Sequence, residues 1–343
     1  MKAMILAGGL STRLYPLTKQ VPKPLVPVAG VAIAEHVIHY LRAYGYDEIA
    51  INLHYLADAI VERLGDGSRF DVRLEYSYEP VLLGSAGAVK QLESFFGDES
   101  FVVVGCDDLT DLPLDDLVAF HRERQAVATI GLVECEEVDQ YGVVVLDDRG
   151  KIVGFQEKPA KGSELSKLAN TGIYVFSPAI FRHIPAQTFY DFGKQVFPEL
   201  QSTAQPFYGF RAPNAYWSDI GTPSEYRRAS HDVVRGTFKV PCTRANGADL
   251  TAALGRAVEI DGPVWIGAHA RIGDFTKIVG PSVIGDNVDI EHGAYVERSI
   301  LWQDARVGAG AVLRDVVVGK SYRIEDGARL ENVLVANEEM PVS

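Results

Sequence analysis

The sequence predicts an α/β protein, a mainly parallel sheet covered by helices on both faces, followed by a small parallel β-helix. Two observations carry this. Over the first two-thirds of the chain, short apolar runs alternate with helix-period segments; over the last quarter, aliphatic residues recur every six positions. Alternating strands and helices build a parallel sheet between two helical layers. A period of six matches neither the 3.6 of a helix nor the 2 of a strand. Each hexapeptide is therefore read as one short strand and one corner of a triangular coil.

The strand candidates are Lys2–Leu6, Glu48–Asn52, Val72–Tyr76, Phe101–Gly105 and Ala128–Val133, apolar runs too short to be helices. Between them lie helical patterns at Glu35–Tyr44, Leu56–Leu64, Ser85–Phe95 and Leu114–Arg124. In the first of these, Val37, Ile38 and Leu41 share one face. From Tyr141 the texture changes to shorter strands, Gly142–Leu146, Ile152–Glu157 and Gly172–Phe176, with longer connections. That part reads as a substrate-binding extension of the same sheet, closed by a helix at Pro223–Arg235.

The hexapeptide pattern runs unbroken through Ile260, Ile266, Ile272, Ile278, Ile284, Ile290 and Val296. It then slips by one residue and resumes at Leu301, Val307 and Leu313, and again at Val318, Ile324 and Leu330. A break is expected between Thr237 and Ala257, where Pro241 and the Asn246-Gly247 pair interrupt any element. The expected domains are residues 1–237 and 258–336, in keeping with a chain of 343 residues.

A formal net charge of -13 argues against a nucleic-acid polymer or an anionic membrane as the main partner. The three cysteines, Cys106, Cys135 and Cys242, show no metal-ligand spacing and no secreted framework. The apolar start, Ala3 to Ala7, is too short for a signal peptide, and no run is long enough to span a bilayer. A reducing cytoplasm is the expected compartment.

Chemistry concentrates after the first strand, in "GGLSTRLYPLT" (Gly8 to Thr18) and "KPLVPVAG" (Lys23 to Gly30). Glycines at a strand end let backbone amides approach an anion. Arg13 offers a planar fork for phosphate oxygens and Lys23 a compact charge. The glycines are followed by neither the Lys-Ser/Thr of a Walker loop nor a dinucleotide fingerprint.

This stretch resembles the signature of the sugar-1-phosphate nucleotidyltransferases, the nucleoside diphosphate sugar pyrophosphorylases. The likeness continues in family order over nearly the whole chain. "LLGSAGAV" (Leu82 to Val89) resembles the segment that meets base and ribose, and "GCDDLTD" (Gly105 to Asp111) the metal-carboxylate turn. "YGVV" (Tyr141 to Val144), "EKP" (Glu157 to Pro159) and "NTGIYVF" (Asn170 to Phe176) resemble the sugar-phosphate site. "YWSDIGTP" (Tyr216 to Pro223) resembles the segment with the second metal ligand, and several branches share the hexapeptide tail.

The resemblance implies a Rossmann-like nucleotidyltransferase domain followed by a small left-handed β-helix. It implies that a sugar phosphate oxygen attacks the α-phosphorus of a nucleoside triphosphate. Both reactants are anions, so charge must be neutralised and geometry fixed. Asp107 and Asp219 are the implied Mg²⁺ ligands, hard oxygens suited to that ion. Arg13 is assigned to the departing pyrophosphate, Lys23 to the α-phosphate and Lys158 to the sugar phosphate. Gly142, Glu157, Asn170 and Thr171 are assigned to sugar hydroxyls, and Leu6, Gly8, Gly9, Gly84, Ser85 and Gly87 to the nucleotide. Mannose 1-phosphate with GTP is the implied substrate pair, with glucose 1-phosphate and UTP or dTTP as the alternative.

Some readings remain open. Asp108 and Asp111 neighbour Asp107 and fit solvated or capping roles; Asp219 alone could be a helix cap, and Glu157 with Lys158 an exposed charge pair. Tyr15 stands where many family members have arginine, Cys106 replaces the usual glycine, and Val31 replaces a common lysine. None removes a residue the mechanism requires. His269 and His292 raise acyl transfer in the tail as a further activity; its shortness favours a structural or oligomeric role, as in a homo-oligomer. A non-catalytic scaffold relative is the rival of another class.

Overall fold

The structure is a computed structural model that describes residues 1–239, 247–249 and 251–337. Pro241, Cys242 and Asn246 of the expected boundary lie outside the described residues. The chain divides into two compact units, one formed by Met1–Leu10 and Val37–Asp219, the other by Ser11–His36 and Ile220–Ser343.

In the first unit the central strands are apolar on both faces. Ala3–Leu6 lies between Phe101–Gly105 and Glu48–Leu53, and Arg73–Tyr78 follows outside, all mutually parallel. Fully buried Met4, Ile5, Ala50, Val102 and Val103 explain why these strands read as continuous apolar runs. Helix Gly84–Gln91 and the short helix Glu93–Phe96 break the single segment expected at Ser85–Phe95.

The other flank of the sheet is antiparallel. Leu168–Phe176 pairs antiparallel with Phe101–Gly105, Ala128–Glu134 and Gly142–Leu146, and Ile152–Glu157 adds to the last of these. Ala128–Glu134, read with the parallel set, therefore belongs to the antiparallel extension. A buried apolar run does not encode the direction of its partner. Its outer neighbour, the parallel strand Phe207–Arg211, has no counterpart in the sequence reading. A core of Phe101, Phe176, Phe192, Phe197 and Phe207 holds the extension to the central sheet.

In the second unit the hexapeptide period becomes a left-handed β-helix of parallel sheets, three among the described residues, with six, five and five strands. Ile260, Ile278 and Val296 stack 18 residues apart, and Leu313 and Leu330 continue at 17. The slip in the sequence is thus one corner shortened by a residue. Corners are made by residues in the left-handed region, His269, Asn287, Asp304 and Ser321 in one column. His269 and His292 are exposed corner residues.

Helix Pro223–Arg235 belongs to this unit. The Thr222 hydroxyl accepts from the Glu225 N–H at its start, Pro223 fills the first helical position, and Gly236 ends it with φ 76°.

Candidate active site

Leu6 pairs with Asn52 on one side and Gly105 on the other, so these three share a row at the C-terminal edge of the parallel strands. Ligands of open α/β sheets bind at that edge. Just beyond Leu6, the Ala7 N–H donates to Asn52 Oδ1 at 2.8 Å, and Asn52 Nδ2 donates to Glu79 Oε1 at 2.8 Å. The other Glu79 oxygen accepts from the Leu83 N–H at 2.9 Å. Asn52 and Glu79 are buried, so this chain is a rigid tie between the Gly8-Gly9 loop and Leu83, just before helix Gly84–Gln91. A Cβ on Gly8 would lie 2.7 Å from Asn52 Nδ2, which restricts that position to glycine; Gly9 is exposed, with open space around it.

Gly84 and Gly87 are required by close approach. A Cβ on Gly84 would lie 2.5 Å from the Tyr190 carbonyl, and one on Gly87 2.7 Å from the Thr188 carbonyl. That Tyr190 carbonyl accepts from the amides of Ala86 and Gly87 and so caps the helix start. The Ser85 hydroxyl donates to Asp191 at 2.9 Å and accepts from the Phe192 N–H. The segment is thereby fastened to Thr188–Phe192.

The acidic turn follows Phe101–Gly105. Asp108–Thr110 and Trp217–Asp219 form a two-stranded antiparallel ribbon in which Asp219 pairs with Asp108. Asp219, more than a hundred residues away in the chain, is thus placed one residue across from Asp107. Both Asp107 and Asp219 are half-buried. A Cβ on Gly105 would crowd Asp107 Oδ1 at 2.8 Å, so the glycine leaves room for carboxylates at the strand end.

The neighbouring acids have structural partners. Asp108 accepts from the Trp217 indole, and Asp111 accepts from the Tyr216 N–H at 2.7 Å. Among the described residues, no three His, Cys, Asp or Glu side chains converge as a metal cluster. Mg²⁺ commonly takes one or two carboxylates and completes its shell with water and substrate phosphates, so a pair fits that ion.

On the antiparallel flank, Asn170, Gly142 and Glu157 lie on adjoining strands. A Cβ on Gly142 would meet the Phe155 ring at 3.0 Å and Asn170 Cβ at 3.3 Å. Asn170 donates to the Tyr174 hydroxyl at 3.1 Å and accepts from the Gly172 N–H. Thr171 is wholly buried, and its hydroxyl donates to the Gly131 carbonyl at 2.8 Å. That hydroxyl is spent within the sheet.

Glu157 packs its carboxyl over Gly193. Burial raises its pKa, opposed by the Lys158 charge and assisted by Asp191. Lys158 is exposed and has φ 47°, with its N–H donated to the Tyr141 carbonyl. A non-glycine residue in that region marks a position fixed by its surroundings.

Arg13 and Lys23 belong to the second unit. Arg13 is exposed on a single helical turn, Thr12–Leu14, anchored by buried Leu14 and by the Thr18 hydroxyl donating to the Ser11 carbonyl. Lys23 is only 8% exposed and opens the turn Lys23–Leu25.

Sequence reasoning missed Asn52, Glu79 and Trp217. Asn52 carried a signal, a polar residue ending an otherwise apolar central strand. Glu79 carried none, and Trp217 stood out only as part of "YWSDIGTP", because their partners are distant in the chain.

A model of the nucleotidyl transferase family matches residues 2–236. The chain belongs to the nucleotidyl transferase family. The same chain matches the GMPPB C-terminal domain over residues 260–343. Among curated members of the nucleotidyl transferase family, a UTP–glucose-1-phosphate uridylyltransferase of Synechocystis is 41% identical, covering 95% of this chain and 89% of its own. A mannose-1-phosphate guanylyltransferase of Mycobacterium tuberculosis is 33% identical over 86% of this chain and 83% of its own. The mannose-1-phosphate guanylyltransferase catalytic subunit beta of Danio rerio is 31% identical over 100% and 92%. A Bacillus anthracis protein assigned as a glucose-1-phosphate thymidylyltransferase, solved with sucrose, superposes with a TM-score of 0.61 at 26% identity. It covers 67% of this chain and 94% of that one.

Proposed function

We propose that the protein transfers a nucleotidyl group from GTP to mannose 1-phosphate, giving GDP-mannose and pyrophosphate. The observation that carries this is the family match over residues 2–236 followed by the GMPPB C-terminal domain at 260–343. In this reading residues 1–237 are the nucleotidyltransferase domain and residues 258–336 the β-helix domain of a cytoplasmic homo-oligomer. Among the described residues, no helix is long and apolar enough to cross a membrane.

Asp107 and Asp219 would hold the divalent cation, Mg²⁺ in this proposal. When bound, the ion neutralises phosphate charge that otherwise repels the incoming sugar phosphate. Lys23 binds the α-phosphate and Arg13 the pyrophosphate that leaves. Lys158 binds the phosphate of the sugar, and Glu157 and Asn170 orient its hydroxyls beside Gly142. Thr171, whose hydroxyl donates to the Gly131 carbonyl, stands with Asn170 at the sugar hydroxyls. Leu6, Gly8 and Gly9 receive the nucleotide, opposite a wall shaped by Gly84, Ser85 and Gly87. No nucleophilic side chain is needed, because the attacking oxygen belongs to the substrate.

The 41% identity to a UTP–glucose-1-phosphate uridylyltransferase favours a second reading, UTP with glucose 1-phosphate. Pyrophosphate release measured over a grid of nucleoside triphosphates and sugar 1-phosphates decides between them. The strongest cell is expected at GTP with mannose 1-phosphate. A strongest cell at UTP with glucose 1-phosphate overturns the substrate assignment, and a blank grid from folded protein replaces the enzyme by a scaffold relative.

A further inference from the structure

The segment bearing Lys23 is gripped by the β-helix unit. A hairpin of Pro27–Val28 and Val31–Ala32 follows the Lys23–Leu25 turn, tied to it by Val26 N–H donating to the Lys23 carbonyl and Ile33 N–H to the Val26 carbonyl. At the hairpin tip, Gly30 has φ 75°, and a Cβ there would overlap the indole of Trp265, a buried residue of the β-helix. At its base, the hydroxyl of fully buried Tyr226 donates to the Pro27 carbonyl at 2.6 Å and accepts from Trp302 Nε1 at 2.8 Å. Trp302 is itself buried in a β-helix strand corner. Arg227 adds bonds to the Asp315 carbonyl and Asn332 Oδ1. Two tryptophans from different coils and one tyrosine therefore fix both ends of a six-residue hairpin.

We propose that Tyr226, Trp265 and Trp302 are positioning residues that set the placement of Lys23, so that the β-helix contributes to turnover as well as to assembly. This rests on Lys23 being a phosphate ligand. A phosphate contact from a short segment is sensitive to sub-ångström displacement. Packing on a stacked coil supplies a rigidity that a free loop lacks.

The test is a double-mutant cycle in the full-length protein. Tyr226→Phe keeps the ring and removes both hydrogen bonds. The expected result is about a 10-fold fall in kcat/KM for the triphosphate, with KM for the sugar phosphate unchanged. The same change placed on Lys23→Ala should cost nothing further, whereas a merely structural role gives additive losses. Trp302→Phe, which removes the indole donor together with part of the ring volume, serves as a second variant should Tyr226→Phe fail to fold. Unchanged kinetics in an active wild type, or full additivity, overturns the proposal. A wild type inactive in every substrate pair overturns the functional reading instead. In that case hydrogen exchange at the Val26 and Ile33 amides decides: faster exchange in Tyr226→Phe is expected, and unchanged exchange overturns the inference.

Discussion

Trp217 donates its indole N–H to the Asp108 carboxylate at 2.9 Å, and the same N–H reaches the Thr171 carbonyl at 2.9 Å. One side chain therefore clips the ribbon ending at Asp219 to the strand that carries Asn170. Trp217→Phe keeps an aromatic ring against Tyr141 and loses both bonds. Hydrogen bonds to charged groups contribute about 1.5–3 kcal/mol. The expected outcome is a comparable loss of stability in denaturant titration, together with a higher KM for the sugar phosphate. A variant with wild-type KM shows that the clip does not govern the sugar side.

Asp107→Asn and Asp219→Asn should each lower turnover by roughly a thousandfold, as loss of a metal-held charge does. Each substitution keeps the size and shape of a half-buried side chain, so thermal midpoints should move by only a few degrees. Turnover measured against Mg²⁺ concentration checks this; a variant that keeps the wild-type rate and metal dependence removes that aspartate from the site.

Lys158→Ala should raise KM for the sugar phosphate by about ten- to a hundredfold and leave KM for the triphosphate unchanged. The reverse pattern would transfer this lysine to the nucleotide. Lys158→Gly, which relieves φ 47° at the same time, should stabilise the fold slightly while keeping the kinetic defect.

Glu79→Gln leaves one of the two acceptor positions occupied by a donor, facing the Asn52 amide or the Leu83 N–H. A buried donor facing a donor costs about 1–3 kcal/mol. The expected result is that loss in stability and a raised KM for the triphosphate, with the sugar phosphate unaffected. Calorimetry and initial rates on one preparation test both halves.

His121 and His231 are buried as neutral rings, with burial first and a neighbouring arginine second in lowering each to about 4. The unfolded chain binds their protons near pH 6.5, so their contribution is fully present above that value and is lost as pH falls toward 4. At full effect it is on the order of 3 kcal/mol for each. Between pH 6.5 and 5, unfolding free energy should fall in the wild type. His231→Asn should flatten its share of that slope.

The sequence made the architecture legible because both of its periods are strict. Six-residue spacing from Ile260 to Val296 survives in the stacked coils, and the one-residue slips after Val296 and Leu313 survive as shortened corners. The parallel strands were legible as apolar runs, but the antiparallel placement of Ala128–Glu134 was not, since pairing direction leaves no trace in composition. Within the candidate site, Gly8, Gly84 and Gly87 stood out in sequence, yet their requirement comes from Asn52, Tyr190 and Thr188, partners that only the folded backbone supplies. The pairing of Asp219 with Asp108 is of the same kind.

The bond from Tyr226 to Pro27 bears on how relatives of this protein can be recombined. A chimera joined between residues 237 and 258 transplants Trp265 and Trp302 without Gly30, Pro27 or Tyr226, and so mates a foreign coil with a native hairpin. Such hybrids should express well and work poorly. A cut that carries residues 11–36 and 220–337 together keeps lock and key from the same parent, although the donated piece is then discontinuous in the gene.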